Sequence, residues 1–175
     1  QVFVVNADGT GLTYVSQTNQ EGFFPTLSPD GNTVAFVATG ERTPDIFTVN
    51  VATGENINLT NKAGTDNQPV WSPDGSQIAF ISDREGGDID IWVMDADGAN
   101  ARRVARTPGA DTLGAWNPDA SQIVFSNRNE LGESLWIVDV ASGETTELLP
   151  MDEGVADTNP TWSPDGTEIA FYRSS

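Results

Sequence analysis

The sequence predicts an all-β protein built from four similar units, and three observations support this. A short motif, Ser-Pro-Asp-Gly or a close variant, recurs four times in 175 residues at spacings of 44, 45 and 46 residues. A tryptophan or leucine precedes each motif, and a phenylalanine follows each proline by seven residues. No window shows the sustained 3.6-residue apolar period of a helix. The pattern therefore indicates a repeat protein made of short strands.

One repeat contains four short strands. In the second repeat, residues 69–72 lead into the turn at 73–75, where proline presets φ and glycine accepts a left-handed conformation. Two β-rich runs follow at 77–82 and 89–94, and a glycine-bearing loop separates them. A second turn at 96–98 leads to a last run at 101–105. Four antiparallel strands in about 45 residues are the size of one β-propeller blade.

The repeats predict a single domain at 1–175, a propeller of four blades with four antiparallel strands each. We expect blades at about 25–60, 69–105 and 114–149, and a fourth made from 160–175 together with 1–16. Pairing the N-terminal strands with the C-terminal strands in one sheet would close the ring and remove its open edges. Two alternatives fit the same arrangement of repeats. The chain could be a segment of a longer propeller, or a partial ring that self-association completes.

The recurrent residues have structural roles in this interpretation. The turn residues are Pro29, Asp30, Gly31, Pro73, Asp74, Gly75, Pro118, Asp119, Pro164, Asp165 and Gly166. Each aspartate is expected to accept hydrogen bonds from amides of its own turn. The aromatic residues expected to fill the space between blades are Trp71, Trp116, Trp162, Phe36, Phe80, Phe125 and Phe171. The third repeat departs most, because Asn117 replaces serine and Ala120 replaces glycine, so a distorted turn is expected there.

Composition argues against several classes of function. With 26 acidic and 8 basic residues, the formal charge is −18, which disfavours binding to nucleic acid or to an anionic membrane surface. The absence of cysteine and histidine excludes disulfides, Cys/His zinc sites and Ser-His-Asp or Cys-His nucleophiles. The longest apolar runs are too short for membrane insertion. We therefore expect no cofactor and no enzyme activity, although carboxylate-pair hydrolysis stays open.

Candidate binding residues lie on the face that carries the longer loops. Asp66, Asp111 and Asp157 occupy one position at the entrance of the innermost strand, where the first repeat has Gly22 instead. Ring geometry would point them at the central channel, where clustered carboxylates could hold calcium. The favoured alternative is that each aspartate accepts hydrogen bonds from its own loop. The remaining candidates on this face are Asn67, Thr112, Thr158, Arg84 and Arg128.

The strings Trp71 to Phe80 and Trp162 to Phe171, with residues 91–98 downstream, resemble the PD40 or WD40-like repeat of TolB-like propellers. The resemblance covers all four repeats. It implies a non-catalytic binding or assembly scaffold in the periplasm or outside the cell, with a protein partner that belongs to the cell envelope. Such blades also occur in prolyl-oligopeptidase-like enzymes, so a propeller segment of a hydrolase with its catalytic domain outside this chain is one alternative. A subunit of an extracellular assembly is another.

Overall fold

The computed structural model describes residues 1–16, 21–39, 43–61, 64–150 and 153–175. These residues form sixteen strands and contain no helix, and hence no helix long and apolar enough to cross a membrane. The strands are β1 (Phe3–Val4), β2 (Thr13–Tyr14), β3 (Gly22–Leu27), β4 (Thr33–Thr39), β5 (Pro44–Asn50), β6 (Asn56–Asn58), β7 (Asp66–Trp71), β8 (Gln77–Ser82), β9 (Asp90–Asp95), β10 (Arg102–Arg103), β11 (Ala110–Trp116), β12 (Gln122–Arg128), β13 (Glu133–Asp139), β14 (Thr145–Glu147), β15 (Ala156–Trp162) and β16 (Ile169–Ser174). The predicted all-β class is confirmed.

Three blades contain four antiparallel strands each, in chain order. Blade I is β3 to β6, blade II is β7 to β10, and blade III is β11 to β14. Their registers correspond, since Phe36 lies opposite Phe47 in blade I, as Phe80 lies opposite Trp92 in blade II. Strands β15 and β16 form an antiparallel pair that joins blade III through one parallel bridge from β13 to β15. We call the pair β1–β2 the N-terminal half-blade and the pair β15–β16 the C-terminal half-blade.

The three Ser-Pro-Asp-Gly turns share the same hydrogen bonds. In the first, the Ser28 hydroxyl donates to Asp30 at 2.5 Å and the Asn32 amide donates to the same carboxylate at 3.0 Å. These donors stabilise the charged form, so the pKa of Asp30 lies below its usual value. The same arrangement at Asp165, with Ser163 as the main donor, lowers its pKa to about 2.

The third repeat keeps this turn despite its substitutions, so the expected distortion is not observed. The Asn117 carboxamide oxygen accepts the Gln122 amide at 2.9 Å, which replaces the serine hydroxyl as acceptor. Ala120 adopts φ +62, close to the φ of +73 at Gly75 in the same position of the second turn. The chain therefore accepts the left-handed conformation at an alanine, where it costs more than at glycine.

Three apolar clusters hold the blades together. Trp71, Phe80 and Trp92 lie in the cluster between blades I and II, and Trp116 and Phe125 lie in the cluster between blades II and III. Phe36, Phe80 and Phe125 are fully buried, as predicted for the core. Burial of one such side chain contributes about 2 kcal/mol. Phe171 is a correction, because it is 39% exposed on β16, which has β15 as its only paired strand in the described chain.

The predicted closure of the ring is wrong for the described chain. β1 pairs with β2 alone, and β16 pairs with β15 alone, so the two half-blades do not form one sheet. The N-terminal half-blade packs on blade I, where Val2 and Val15 belong to the cluster around Phe36. Gly22 makes room for this contact, since a Cβ there would lie 2.7 Å from Val2 Cγ2. The half-blades therefore pack against the blades that adjoin them in the chain, at opposite ends of the array.

Candidate binding surface

The loop face of the array is the side on which β7, β11 and β15 begin, and it carries the three predicted aspartates. Asp66, Asp111 and Asp157 occupy equivalent positions and are at most 2% exposed. Each of them has different neighbours, and the three are not brought together. Within the described ranges no group of three or more acidic side chains is arranged to hold a metal ion. Calcium at this position therefore stays a prediction without support from the geometry.

Asp66 is held by the arginine that the sequence placed among the binding candidates. Arg84 Nη2 lies 2.7 Å from Asp66 Oδ1, and its side chain is only 7% exposed. The guanidinium also lies 5.0 Å from the ring centre of Phe80 and 4.9 Å from that of Trp92. Arg84 is thus buried inside blade II, where it compensates a buried charge and leaves little surface for a partner.

Asp111 has neutral partners in place of an arginine. The Thr107 hydroxyl donates to Asp111 Oδ1 at 2.5 Å, and the Asn127 carboxamide donates to the same oxygen at 2.8 Å. Burial disfavours the charged carboxylate more than these two bonds favour it, so the pKa of Asp111 rises to about 7. Asp111 therefore carries only a partial charge at neutral pH.

Asp157 is paired at the C-terminal half-blade. Arg173 donates from Nε to one carboxylate oxygen and from Nη2 to the other, both at 2.6 Å. Two parallel bonds of this kind fix the orientation of both groups. The side chain of Arg173 remains 49% exposed, so this pair lies nearer to the surface than the pair in blade II.

A second set of acidic residues begins the third strand of each blade, and the sequence analysis missed it. Asp45, Asp90 and Glu133 are each less than a tenth exposed. Asp90 forms an ion pair with Arg103 at 2.7 Å, and Glu133 forms one with Arg128 at 3.3 Å. The pKa of Asp45 is raised mainly by burial, although a bond from Asn58 at 2.9 Å opposes the shift. The 45-residue spacing from Asp45 to Asp90 was the available signal.

The polar residues beside the buried aspartates are more accessible. Asn67, Thr112 and Thr158 are half-buried, and each follows its aspartate directly. The side chain of Arg128 is 72% exposed, so it also reaches the surface despite its contact with Glu133. Some predicted loop residues, at 17–20, 40–42, 62–63 and 151–152, lie outside the described residues. The described loop face therefore consists of buried acidic groups, most of them paired with an arginine, and a more accessible rim of polar side chains.

Repeated four-stranded blades with buried inter-blade aromatic residues define this chain as a β-propeller protein. Over residues 1–175 it matches the family model described as PD40, TolB beta propeller domain, and the chain belongs to this family. It is 27% identical over 93% of its length to an uncharacterized protein of Agrobacterium fabrum. It is 34% identical over 49% of its length to the Tol-Pal system protein TolB of Alcanivorax borkumensis, and 34% identical over 48% to the uncharacterized peptidase YuxL of Bacillus subtilis.

Solved structures show the same fold. The structure of a putative TolB from Agrobacterium tumefaciens superposes on 97% of the chain with a TM-score of 0.77 and 23% identity. A puromycin hydrolase superposes on 97% of the chain with a TM-score of 0.72 and 20% identity. The chain spans 65% of the first of these structures and 28% of the second. Among the curated relatives it spans 58% of the Agrobacterium protein, 20% of TolB and 14% of YuxL.

Proposed function

We propose that this chain is part of a non-catalytic scaffold that binds a protein partner through the loop face, outside the cytoplasm. The observation that carries the proposal is the pairing of the buried charges on that face. Asp66, Asp90 and Asp157 each have an arginine partner. These ion pairs stabilise the structure of the face, and the paired carboxylates are not available as free nucleophiles or bases. The half-buried Asn67, Thr112 and Thr158 are left to contact a partner.

The chemistry of the face supports binding more than catalysis. The chain has no histidine or cysteine, and among the described acidic residues only Asp111 has a pKa raised to about 7. Asp111 is 2% exposed, so a substrate would not reach its carboxylate without rearrangement. A rigid surface with short polar side chains suits protein recognition, since few side chains lose conformational freedom on binding.

The relatives suggest a cellular location and a class of partner. The Alcanivorax borkumensis relative is named as the TolB protein of the Tol-Pal system. By that similarity we propose a periplasmic or extracellular location and a partner that belongs to the cell envelope. Fractionation of cells that express the full-length gene tests the location, and recovery in the cytoplasm alone would refute it.

Site-specific photo-crosslinking in the native host tests the binding face. A crosslinking amino acid at Asn67 or Thr158 should give one defined protein adduct. The same group at Ser142, which is exposed on a turn at the other end of blade III, is the matched control. Adducts that form equally at Ser142, or that do not form at Asn67 and Thr158, would contradict the proposal.

A second candidate is a propeller segment of a hydrolase, which the similarity to YuxL and to the puromycin hydrolase favours. In that case the blades would position substrate for a catalytic domain elsewhere in the same polypeptide. The open reading frame decides between the two. A downstream α/β-hydrolase segment with a Gly-x-Ser-x-Gly turn would support the hydrolase, and a reading frame without it would support the scaffold.

A further inference from the structure

A groove of about 760 Å³ lies between blades I and II on the side opposite the loop face, which we call the turn face. The Ser-Pro-Asp-Gly turns of both blades and the turn between β9 and β10 border it. Its lining residues include Asp30, Glu55, Ile57, Trp71, Asp74 and Asp97. The groove is of the size that accepts a side chain together with its flanking backbone.

The groove is strongly acidic. Four of its lining residues carry carboxylates, and none is a lysine or arginine. Hydrogen bonds from Ser28 and Ser72 hold the pKa values of Asp30 and Asp74 below their usual range, so both stay charged at neutral pH. A cationic ligand would therefore meet opposite charge on several sides.

The corresponding position between blades II and III contains an arginine of the chain itself. Arg102 on β10 donates from Nη2 to the Val140 carbonyl at 2.8 Å. Ile57 on β6 holds the same place in blade I, because it pairs with Thr48 as Arg102 pairs with Val93. Ile57 is 52% exposed. An apolar residue thus stands where the neighbouring blade has a guanidinium.

The carbonyl that would accept such a guanidinium is present. Ala96 corresponds to Val140, because the Ala96 amide donates to Ser76 O at 3.0 Å and the Val140 amide donates to Ser121 O at 2.9 Å. Ala96 lines the groove. In the described part of the chain no bond to the Ala96 carbonyl resembles the one from Arg102 to Val140.

Trp71 presents its ring to the groove and not its indole N–H. It lines the groove and is 9% exposed, and its indole N–H has no acceptor among the described residues. The equivalent indole N–H of Trp116, one blade further on, donates to the Val70 carbonyl at 3.1 Å. Because Trp71 Nε1 is itself buried, an occupant of the groove would meet the indole ring and not its N–H.

We propose that this groove binds an arginine side chain from a basic segment of a partner protein. The guanidinium donates to the Ala96 carbonyl, as Arg102 does to that of Val140, and lies among the carboxylates of Asp30, Glu55, Asp74 and Asp97. The site lies on the opposite face from the proposed loop-face contact and does not depend on it.

A fluorescent peptide with the chain's own sequence 99–106, Ala-Asn-Ala-Arg-Arg-Val-Ala-Arg, is a suitable probe because it contains the arginine that fills the next groove. Fluorescence anisotropy with the full chain should show saturable binding, and a peptide with glutamine at all three arginines should bind at least about tenfold more weakly. Absence of binding at millimolar peptide, or equal binding of the glutamine peptide, would overturn the proposal.

Ile57→Arg tests the location, because it supplies the guanidinium from the chain itself. This variant should bind the peptide at least about tenfold more weakly than the native chain. Thr146→Arg is the matched control, because Thr146 pairs with Ile137 at the corresponding position of blade III and the change adds the same charge. Equal weakening by both variants would show an effect of net charge only and would refute the site.

Glu55→Gln gives a second test that does not depend on the folding of Ile57→Arg. Glu55 is exposed, so the change removes one carboxylate from the groove with little effect on packing. Binding should weaken, and unchanged affinity in both Glu55→Gln and Ile57→Arg would contradict the proposal. Neither change touches the loop face, so crosslinking at Asn67 should persist in both variants, which separates a failure here from a failure of the proposed scaffold function.

Discussion

Arg84 and Asp66 form a buried ion pair in blade II, with a distance of 2.7 Å between Nη2 and Oδ1. The guanidinium also lies close to the rings of Phe80 and Trp92, 5.0 and 4.9 Å from their centres. The pair therefore joins the loop face to the apolar cluster between blades I and II, to which both rings belong. One aspartate oxygen, Oδ2, is buried without a hydrogen-bond partner in the described chain, which increases its dependence on the arginine.

Arg84→Met should lower the free energy of unfolding by about 3 kcal/mol or more, because it leaves the Asp66 carboxylate buried without its counter-charge. The double variant Asp66→Asn/Arg84→Met should recover most of this loss, since it contains no unpaired buried charge. Urea unfolding of both variants, followed by tryptophan fluorescence, measures the difference.

Arg106→Ala is the matched control for this pair. Its side chain is 73% exposed and lies 3.7 Å from Glu85, so its removal should change stability by less than about 1 kcal/mol. A double variant at Asp66 and Arg84 no more stable than Arg84→Met alone would show that the arginine acts mainly through its ring contacts and not through the ion pair.

Asp111 should make the stability depend on pH between about 4 and 7. Its pKa rises from 3.8 to about 7 in the folded chain, so the unfolded chain loses this proton first as pH rises. The folded state therefore loses stability across this interval, and the penalty is complete above pH 7. Asp111→Asn should remove it and raise the free energy of unfolding at pH 8 by on the order of 2 kcal/mol.

Urea unfolding of the native chain and of Asp111→Asn at pH 4, 6 and 8 tests this prediction. The gain in the free energy of unfolding from Asp111→Asn should shrink toward zero at pH 4. Asp119→Asn is a control of opposite sign. The pKa of Asp119 is lowered, mainly by the Ser121 hydroxyl, so this variant should lose stability at neutral pH. An advantage of Asp111→Asn that stays the same at all three pH values would exclude the titration of Asp111 as its cause.

Ala120→Gly should stabilise the chain by about 0.5 kcal/mol, because alanine at φ +62 is disfavoured relative to glycine by more than the extra backbone entropy of glycine. The reverse change, Gly31→Ala, tests the same effect in blade I. Gly31 has φ +74 and no atom within 4 Å of a built Cβ, so any loss there comes from backbone conformation alone. Thermal unfolding of both variants gives the comparison, and a stabilising Gly31→Ala would contradict it.

The sequence could predict the blades because their information is local. The turn at Ser28 to Thr33 is complete within six residues, and its hydrogen bonds recur wherever the motif recurs. The same locality explains the fully buried Phe36, Phe80 and Phe125, whose spacing from the turn fixes which face of β4, β8 or β12 they occupy.

What the sequence could not predict depends on contacts between distant segments. Asp66 and its partner Arg84 are 18 residues apart, and nothing in the repeat assigns them to one another, since the equivalent Asp111 is paired with Thr107 and Asn127. The prediction that the ring closes was wrong for the same reason. The repeat pattern is equally compatible with paired and separate half-blades, and so is the packing of Val2 against blade I, because a closing blade would also adjoin blade I.

Trp116→Phe and Trp71→Phe should lower the free energy of unfolding by different amounts, although they remove the same atoms from equivalent positions. Trp116 donates its indole N–H to the Val70 carbonyl at 3.1 Å, whereas that of Trp71 has no acceptor among the described residues. Both changes lose similar packing, because the two side chains are 6% and 9% exposed. Trp116→Phe should therefore be more destabilising by about 1 kcal/mol, the net worth of one hydrogen bond, with an added cost for the carbonyl left unpaired. Chemical denaturation followed by circular dichroism measures both free energies, and equal losses would mean that the indole bond between blades II and III contributes nothing to stability.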